Sequence, residues 1–210
     1  VPRSSPIQIP GTQWSTVSRT QSSYAHFAIK TDGTLWCWGS SQNGSHGQNN
    51  TDDINYSSPV QIPGTQWSYV DGGFMYLNNQ TVLGRKTDNT LWVWGGHNYG
   101  SSGLSVSSQQ SIGSPTQLPG TWVKSSSAGY NQFGLNSSGQ LYSWGYNNQG
   151  QGGMSGSSSS PRLLGGTQWT NVYTMKRTTY ATKTDGTLWS WGYNNHGQLG
   201  QNNTTNTNSP

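Results

Sequence analysis

Acidic side chains that could act in catalysis are few in this chain: Asp occurs at six positions and Glu at none. Asp32, Asp88 and Asp185 stand at the same point of a recurring turn, where Asp is favoured because its carboxylate hydrogen-bonds the backbone. Asp52 and Asp53 are adjacent in a polar stretch. Paired-carboxylate catalysis needs two acids in one cleft with different environments, and no calcium-loop spacing is present. These residues therefore predict turns and solvated loops rather than an acid-base or calcium site.

Three of the four histidines, His46, His97 and His196, fall in the loop that follows a Trp-Gly pair. A zinc site needs three or four converging ligands, but no second ligand type recurs with them, and another repeat has Gln149 in this region. His26 lies in a strand-like run, where we expect it to be packed or half-exposed. The sequence thus predicts no metal and no cofactor.

Motifs for nucleophilic or phosphate chemistry are missing as well. There is no Gly-x-Ser-x-Gly elbow, no phosphate-binding loop and no Gly-x-Gly-x-x-Gly. Cys37 is the sole cysteine, so no disulfide can form within the chain, and it takes the place held by Val93, Ser143 and Ser190 in other repeats. We expect Cys37 to pack in the core and predict that the chain is not an enzyme.

The composition is poor in charge, with 8% charged residues and a net charge of +4. The Lys and Arg residues are scattered, whereas a nucleic-acid surface has a concentrated basic patch, so we expect no specific nucleic-acid partner. No apolar run is long enough for a membrane span, and no signal peptide opens the chain. The amide-rich, Glu-free composition favours an extracellular or virion-surface location.

One phrase recurs four times, each time ending in Trp-Gly after an Asp-Gly-like turn. Residues that recur at one position of every unit are best explained by what each unit needs structurally. An Asp-Gly between two short apolar runs is a strong hairpin signal. The tryptophans are therefore predicted to be packing residues. The four copies are residues 31–39, 87–95, 137–145 and 184–192.

Each unit of about fifty residues begins with a Trp, and Ser-Pro pairs mark the joints. About four short strands fit in a unit, and no helical periodicity is seen. Such units are too thin to bury their own faces and must stack, which is typical of β-propeller blades. We predict one all-β domain over residues 1–210, with antiparallel blades of about four strands each. The approximate units are 14–66, 67–121, 122–168 and 169–210.

The phrase resembles the RCC1 repeat, named for the regulator of chromosome condensation. Residues 183–200 contain the family pattern nearly whole: an Asp-Gly hairpin, Trp-Gly, Asn and Gly-Gln-Leu-Gly. The pattern is weaker in residues 147–153 and degraded in residues 40–48 and 96–103. The resemblance spans essentially the whole chain and implies an RCC1-like propeller. Family propellers usually have seven blades, and no position matches the loops or wedge that promote nucleotide exchange on a small GTPase.

Four units allow a closed four-bladed ring, an arc of a larger ring within one chain, or a ring formed by several chains. Residues 6–11 lie after the first Ser-Pro joint and resemble the piece that ends a unit. They are expected to complete the last blade, which slightly favours a ring closed within the chain. Homo-oligomers stay open as an alternative.

The loops after each Trp-Gly differ between units and combine aromatic side chains with amides. Such groups hold protein or sugar partners, although Asn-rich turns explain the same residues. We predict a non-enzymatic binding module for a protein or glycan. The alternatives are an intracellular regulator of a small GTPase or chromatin, and an architectural repeat protein. The candidate binding residues are His97, Asn98, Tyr99, Tyr146, Asn147, Asn148, Tyr193, Asn194, Asn195 and His196.

Overall fold

A computed structural model describes residues 5–18, 25–72, 80–106, 111–128 and 131–210. These residues form fifteen strands in four antiparallel sheets, so the predicted all-β propeller-blade architecture is confirmed. In the described part of the chain, no helix is long and apolar enough to cross a membrane. Residues 98–100 form a short 3₁₀ helix.

The sheets follow one another along the chain as blades 1 to 4. Blade 1 contains β1 (Trp14–Val17), β2 (Ala25–Lys30), β3 (Leu35–Ser40) and β4 (Asn55–Ile62). Blade 2 contains β5 (Trp67–Gly72), β6 (Thr81–Lys86), β7 (Leu91–Gly95) and β8 (Ile112–Leu118). Blade 3 contains β9 (Lys124–Ser127), β10 (Asn131–Leu135), β11 (Leu141–Gly145) and β12 (Ser158–Leu163). Blade 4 contains β13 (Trp169–Met175), β14 (Thr178–Lys183) and β15 (Leu188–Gly192).

The Asp of the repeated phrase closes the hairpin between the second and third strands. Asp32 Oδ1 accepts hydrogen bonds from the Thr34 amide at 2.9 Å and the Thr34 hydroxyl at 2.7 Å, and the Thr34 Oγ1 accepts the Trp36 indole N–H at 2.8 Å. The Thr34 hydroxyl, followed by its amide, lowers the pKa of Asp32. Asp88 and Asp185 make the same bonds, so these carboxylates are structural.

The Gly of each Trp-Gly pair needs a left-handed backbone. Gly192 has φ 106°, and a Cβ there would collide with the Arg177 carbonyl oxygen. In blades 1 to 3 the pairing between third and fourth strands shifts register at this glycine. The chain thereby leaves the sheet and starts the loop in which the candidate residues lie.

Neighbouring blades pack face to face through the Trp of Trp-Gly. Trp94, Trp144 and Trp191 are fully buried. Each indole N–H donates to a carbonyl in the loop of the preceding blade: Trp94 to Ser45 at 2.9 Å, Trp144 to Ser101 at 3.1 Å and Trp191 to Gln151 at 3.0 Å. The core between blades 1 and 2 contains Phe27, Cys37 and Ile62 beside Trp67 and Trp94. The recurring tryptophans therefore join the blades.

Blade 4 differs from the others because, among the described residues, no fourth strand pairs with β15. Beside it, Thr207 makes an isolated antiparallel bridge to Gly192. Residues 6–11 lie outside any strand, with Ile7 57% exposed, and Leu188 of β15 is 69% exposed. In this structure, therefore, residues 6–11 do not cover the last blade of their own chain.

Candidate functional site

Two faces of the array differ in what they present. The hairpin face carries the Asp turns between second and third strands. The loop face, at the other end of the strands, carries the connections from third to fourth strand: described residues 41–54, 96–106 with 111, 146–157 and 193–210. All ten candidate residues belong to the loop face, as expected for residues that directly follow Trp-Gly.

Tyr99 and Tyr146 come from consecutive blades and contact each other. Their ring centroids are 4.6 Å apart with an interplanar angle of 42°. Tyr99 is 53% exposed and has φ 57°, a left-handed backbone that an aromatic residue adopts rarely. Tyr146 is half-buried, as is Asn98 beside Tyr99. The structure thus places an aromatic pair, with Tyr99 exposed and Tyr146 half-buried, where the loops of blades 2 and 3 meet.

Two of the candidate amides face inward. Asn147 Oδ1 accepts the Gly152 amide at 2.7 Å, and its Nδ2 donates to the carbonyls of Met154 and Gly156. Asn194 is fully buried and uses its amide in the same way, donating to the Thr205 carbonyl at 3.0 Å and accepting from Leu199 at 2.9 Å. Both residues hold their loops in shape, because each amide replaces backbone partners that a loop lacks.

His97 lies at the corresponding position of the blade 2 loop and is also buried, at 2% exposed. It therefore belongs to the interior of the loop. His46, one repeat earlier, is equally buried and stacks on Tyr56 with ring centroids 5.0 Å apart. Burial lowers the pKa of His46 to about 4, so this imidazole is neutral near pH 7. In the described residues, no group of three His, Cys, Asp or Glu side chains is placed to hold a metal ion.

The remaining candidates lie at the surface of blades 3 and 4. Asn148, Asn195 and His196 are exposed, and Tyr193 is half-buried with its ring 6.2 Å from that of His196. A cavity of about 380 Å³ opens between the two loops. Its lining is mostly amide and glycine: Asn147, Asn148, Gln149, Gly150, Met154, Ser155, Gly156, Asn206 and Asn208.

Sequence reasoning missed the contribution of the last loop to this cavity. Asn206 of blade 4 donates its side-chain amide to Gln149 Oε1 of blade 3 at 3.2 Å. The Asn-rich composition of residues 202–208 was visible in the sequence. The pairing between blades was not, because it depends on how far each loop leans toward its neighbour.

The one cysteine is a core residue. Cys37 is fully buried, and burial raises the pKa of its thiol to about 12. Its Sγ lies 3.6 Å from the Val60 carbonyl oxygen of the adjacent strand. A thiol in this state is protonated and shielded, so it has the packing role that its position in the repeat indicates.

The comparisons with known proteins agree with this architecture. The family model for the regulator of chromosome condensation (RCC1) repeat matches residues 185–210. The structure of human WBSCR16 superposes with a TM-score of 0.80 at 21% identity, over 97% of this chain and 54% of that one. Yeast RCC1 (Prp20) bound to Kap60 superposes with a TM-score of 0.81 at 18% identity, over 96% of this chain and 49% of that one.

A further structure, Prp20p from Saccharomyces cerevisiae, described with its binding properties to Gsp1p and histones, gives a TM-score of 0.80 at 18% identity. The chain spans about half the length of these structures. A comparison of the sequence with curated proteins gives no significant match. The chain is thus built from RCC1-like repeats in an RCC1-like propeller fold, as the Trp-Gly phrases predict.

Proposed function

We propose that this chain is a non-enzymatic protein-binding module that recognises its partner through the loop face. The Tyr99–Tyr146 pair carries the proposal. Tyrosine is enriched at protein interfaces because a rigid ring supplies contact area at low entropic cost and its hydroxyl adds a hydrogen bond. Tyr99 has a left-handed backbone, which is energetically unfavourable for an aromatic residue. Because its side chain is exposed, packing within the blade does not explain this conformation.

A protein is favoured over a glycan as the partner. Yeast RCC1 (Prp20), which has the same fold, is recorded in complex with Kap60, and Prp20p with binding to Gsp1p and histones. The lining of the cavity beside Asn148 is mostly amide and glycine and contains no charged side chain among the described residues, which suits a partner recognised by shape and hydrogen bonds. The expected extracellular or virion-surface location remains a prediction.

The binding test compares matched variants in affinity capture followed by mass spectrometry. Tyr99→Ala and Asn148→Ala, both on the loop face, are expected to lose the captured protein. Leu163→Ala is the control, since Leu163 is 54% exposed against 53% for Tyr99 but lies on β12. Capture that is equal for all three variants would contradict the proposal, as would glycan binding without a protein partner.

The second candidate is a regulator of a small GTPase or chromatin, which the RCC1-like fold favours. It is tested separately by nucleotide release from a small GTPase with and without the chain, and by histone binding. Faster release that Tyr99→Ala abolishes would support this regulator and the loop face together. If the chain does not change nucleotide release and captures a protein other than a small GTPase, the general binding function stands. Regulation of a small GTPase is then excluded.

A further inference from the structure

One strand position that is apolar in blades 1 and 3 holds an arginine in blade 2. Ile29, Arg85 and Leu135 are equivalent, because each pairs with the leucine that begins the following strand. Ile29 and Leu135 are 3% and 2% exposed and pack against the next blade. By the same position Arg85 faces blade 3, and it is half-buried. Blade 2 therefore places a cation where its neighbours have a buried apolar side chain.

The contacts of Arg85 within the chain leave most of its donors unused. In the described residues its guanidinium makes one hydrogen bond, from Nη1 to Asn89 Oδ1 at 3.5 Å, although a guanidinium has five N–H donors. Its Nε is buried and has no hydrogen-bond partner. Its Cζ lies 5.8 Å from the centroid of the Tyr69 ring. Burial lowers the pKa of Arg85, but a guanidinium stays charged near pH 7.

No carboxylate pairs with Arg85 in the part of the chain that the structure describes. Asp88, three residues later, uses its Oδ1 to close the hairpin turn. Asp71 of β5 accepts the Ser127 amide at 3.0 Å and the Tyr69 hydroxyl at 3.4 Å. A half-buried cation without a carboxylate is costly, and a cation–π contact at this distance is a weak return. Residues that break the pattern of a fold at such a cost are expected at functional sites.

Asn89, which contacts Arg85, is a second departure from the repeat at the same point. Asn89 has φ 64°, a left-handed conformation that Gly adopts most easily and Asn tolerates. Its backbone role is the usual one, since its carbonyl accepts the opening Trp amide of the next blade at 2.8 Å, against 3.0 Å from blades 1 and 3. Its side chain is thus additional to what the turn needs, and in the described residues Nδ2 makes no hydrogen bond. The other three hairpins have Gly33, Gly139 and Gly186 at this position.

A third departure makes room for the asparagine side chain. A Cβ at Gly33 would lie 3.1 Å from the backbone of Gln66 in the next blade, and a Cβ at Gly139 would lie 3.1 Å from that of Gln168. The link into blade 3 is one residue shorter and has no glutamine before Trp122. The arginine, the asparagine and the shorter link thus occur together, at the hairpin-face end of the interface between blades 2 and 3.

We infer that Arg85 and Asn89 bind one carboxylate side chain, an Asp or a Glu, of a protein partner. The planar guanidinium matches a carboxylate in shape and donates two parallel hydrogen bonds to it, and the Asn89 amide beside it is a further donor. This inference rests on the proposed function in that it requires a protein partner. It adds a contact on the hairpin face, at the other end of the strands from Tyr99.

The charge of the site favours a carboxylate over a phosphate group. One guanidinium matches the single negative charge of a carboxylate, whereas proteins bind phosphorylated segments through clusters of arginines. Asp88 in the adjacent turn is a negative charge that further disfavours a dianion. Lys86, the next residue, lies over the rings of Trp67 and Trp92 with its Nζ 5.1 and 4.4 Å from their centroids, so it is engaged within its own blade.

The first test uses a small probe and needs no partner. N-acetyl-glutamic acid α-amide carries one side-chain carboxylate, and N-acetyl-glutamine amide is its neutral match. Each is titrated into the ¹⁵N-labelled chain while the side-chain N–H signals of Arg85 and Asn89 are followed by NMR, with Arg85→Leu and Asn89→Gly to assign them. We expect the glutamate probe to shift both signals saturably and the glutamine probe to shift neither. In Arg85→Leu the Asn89 signal should no longer respond.

Inorganic phosphate and chloride are titrated in the same way. Shifts of equal size with chloride would mean that the ions only screen the charge of Arg85, and no shift with the glutamate probe would mean that the site does not bind a carboxylate. Either result overturns the inference. Tighter binding of phosphate than of the glutamate probe would overturn the choice of a carboxylate.

The second test asks whether Arg85 stabilises the fold. Arg85→Leu copies Leu135 of blade 3, so its urea midpoint should not fall if the arginine is kept for binding. A lower midpoint would show that the guanidinium stabilises the interface between blades 2 and 3, and would contradict its role as a binding residue. Arg162→Leu is the control, because Arg162 is also an arginine bonded to a loop, with Nη1 3.3 Å from the Ser155 carbonyl oxygen. It should leave the response of Arg85 to the glutamate probe unchanged.

Binding of the captured partner separates this site from the loop face. Arg85→Leu is expected to weaken binding about tenfold, as for the loss of one charge-assisted hydrogen-bonded pair, and Arg85→Lys to weaken it less. If Arg85→Leu weakens binding and Tyr99→Ala does not, the carboxylate site stands and the proposed loop face fails. If Tyr99→Ala abolishes binding and Arg85→Leu leaves the affinity unchanged, the loop face stands and Arg85 is not a partner contact.

Discussion

The joints between consecutive blades and the two free end faces of the array are built from the same motifs but are packed differently. Trp94, Trp144 and Trp191 sit in joints and are fully buried, whereas Trp38, from the same motif, lies on a free face and is half-buried. The difference shows that the Trp of Trp-Gly contributes one side of the contact between two blades. It is fully buried only where the loop of a preceding blade supplies the other side, as neighbouring units do in repeat proteins generally.

The free faces also concentrate exposed apolar side chains. Ile7, Ile9 and Val17 lie on the side of blade 1, and Tyr173, Met175, Leu188 and Trp189 on the side of blade 4. Within a joint, their equivalents Ile62, Val70 and Leu35 are at most 2% exposed. These side chains are exposed in this structure because no further blade packs on either face.

The largest expected effect comes from removing a Trp in a joint. Trp144→Ala deletes a fully buried ring and its bond to the Ser101 carbonyl, and we expect a loss of about 3–5 kcal/mol in the free energy of unfolding. Trp38→Ala should cost clearly less, because Trp38 is only half-buried. Urea unfolding followed by circular dichroism compares them. Equal losses would mean that the joint adds nothing to what the blade itself provides.

A second effect concerns the space beside the opening Trp of each blade. Gly134 faces Trp122, and a Cβ there would collide with the indole ring. The end blades have Ala28 and Ala181 at the equivalent position. We expect Gly134→Ala to destabilise the chain by about 1–3 kcal/mol through overpacking. Ala181→Gly is the reverse change and should have a much smaller effect. Proteolysis resistance and urea midpoints measure both, and a neutral Gly134→Ala would show that the Trp122 ring can move aside.

The sequence was sufficient to predict what every blade shares. The hairpin turns, made by Asp in three blades and by Asn136 in blade 3, the Trp-Gly motifs and the packing of Cys37 follow from recurrence, because one position in four units must satisfy one local geometry. The loop face was harder to predict. Asn147 and Tyr146 are neighbours in one loop, yet Asn147 bonds inward and Tyr146 contacts Tyr99 of another blade. Which side chain faces outward depends on loop backbone that the phrase does not determine.

The closure of the array could not be predicted from sequence either. Residues 4–14 match residues 57–67 so closely that a docked strand was expected. In the structure residues 6–11 lie outside any strand, so the match alone does not dock them. Whether the end blades of an array meet depends on curvature, which accumulates from small rotations between blades and is not encoded in any one motif.

A third prediction concerns pH at the joint between blades 1 and 2. The pKa of His46 is lowered to about 4 by burial, against about 6.5 in the unfolded chain. The unfolded state therefore binds the proton more tightly, and stability falls as the pH drops from about 6.5 toward 4, by on the order of 1 kcal/mol at pH 5. His46→Leu, which copies the buried Leu199 of blade 4, should remove this slope.

Thermal unfolding at pH 7 and pH 5 measures the difference between the two proteins. The turn carboxylates of Asp32, Asp88 and Asp185 have pKa values below the usual 3.8, so their contribution is lost only at lower pH. They do not interfere in this window. An acid slope that persists unchanged in His46→Leu would mean that another group titrates in the joint.

The smallest effect is expected on the hairpin face, where all blades but one share a cation. Lys86 Nζ lies 5.1 Å from the centroid of Trp67 and 4.4 Å from that of Trp92, and Lys30 and Lys183 sit over the equivalent ring pairs. Blade 3 has Asn136 there, which bonds Gln140 instead. Lys86→Gln should cost about 0.5–1 kcal/mol, the range of an exposed cation–π contact. Lys86→Arg keeps the cation and should cost less in the same urea titration. If both substitutions cost the same, the charge of Lys86 does not stabilise this face. Blade 3, which has Asn136 instead of a lysine, would then lose no stabilisation from the missing charge.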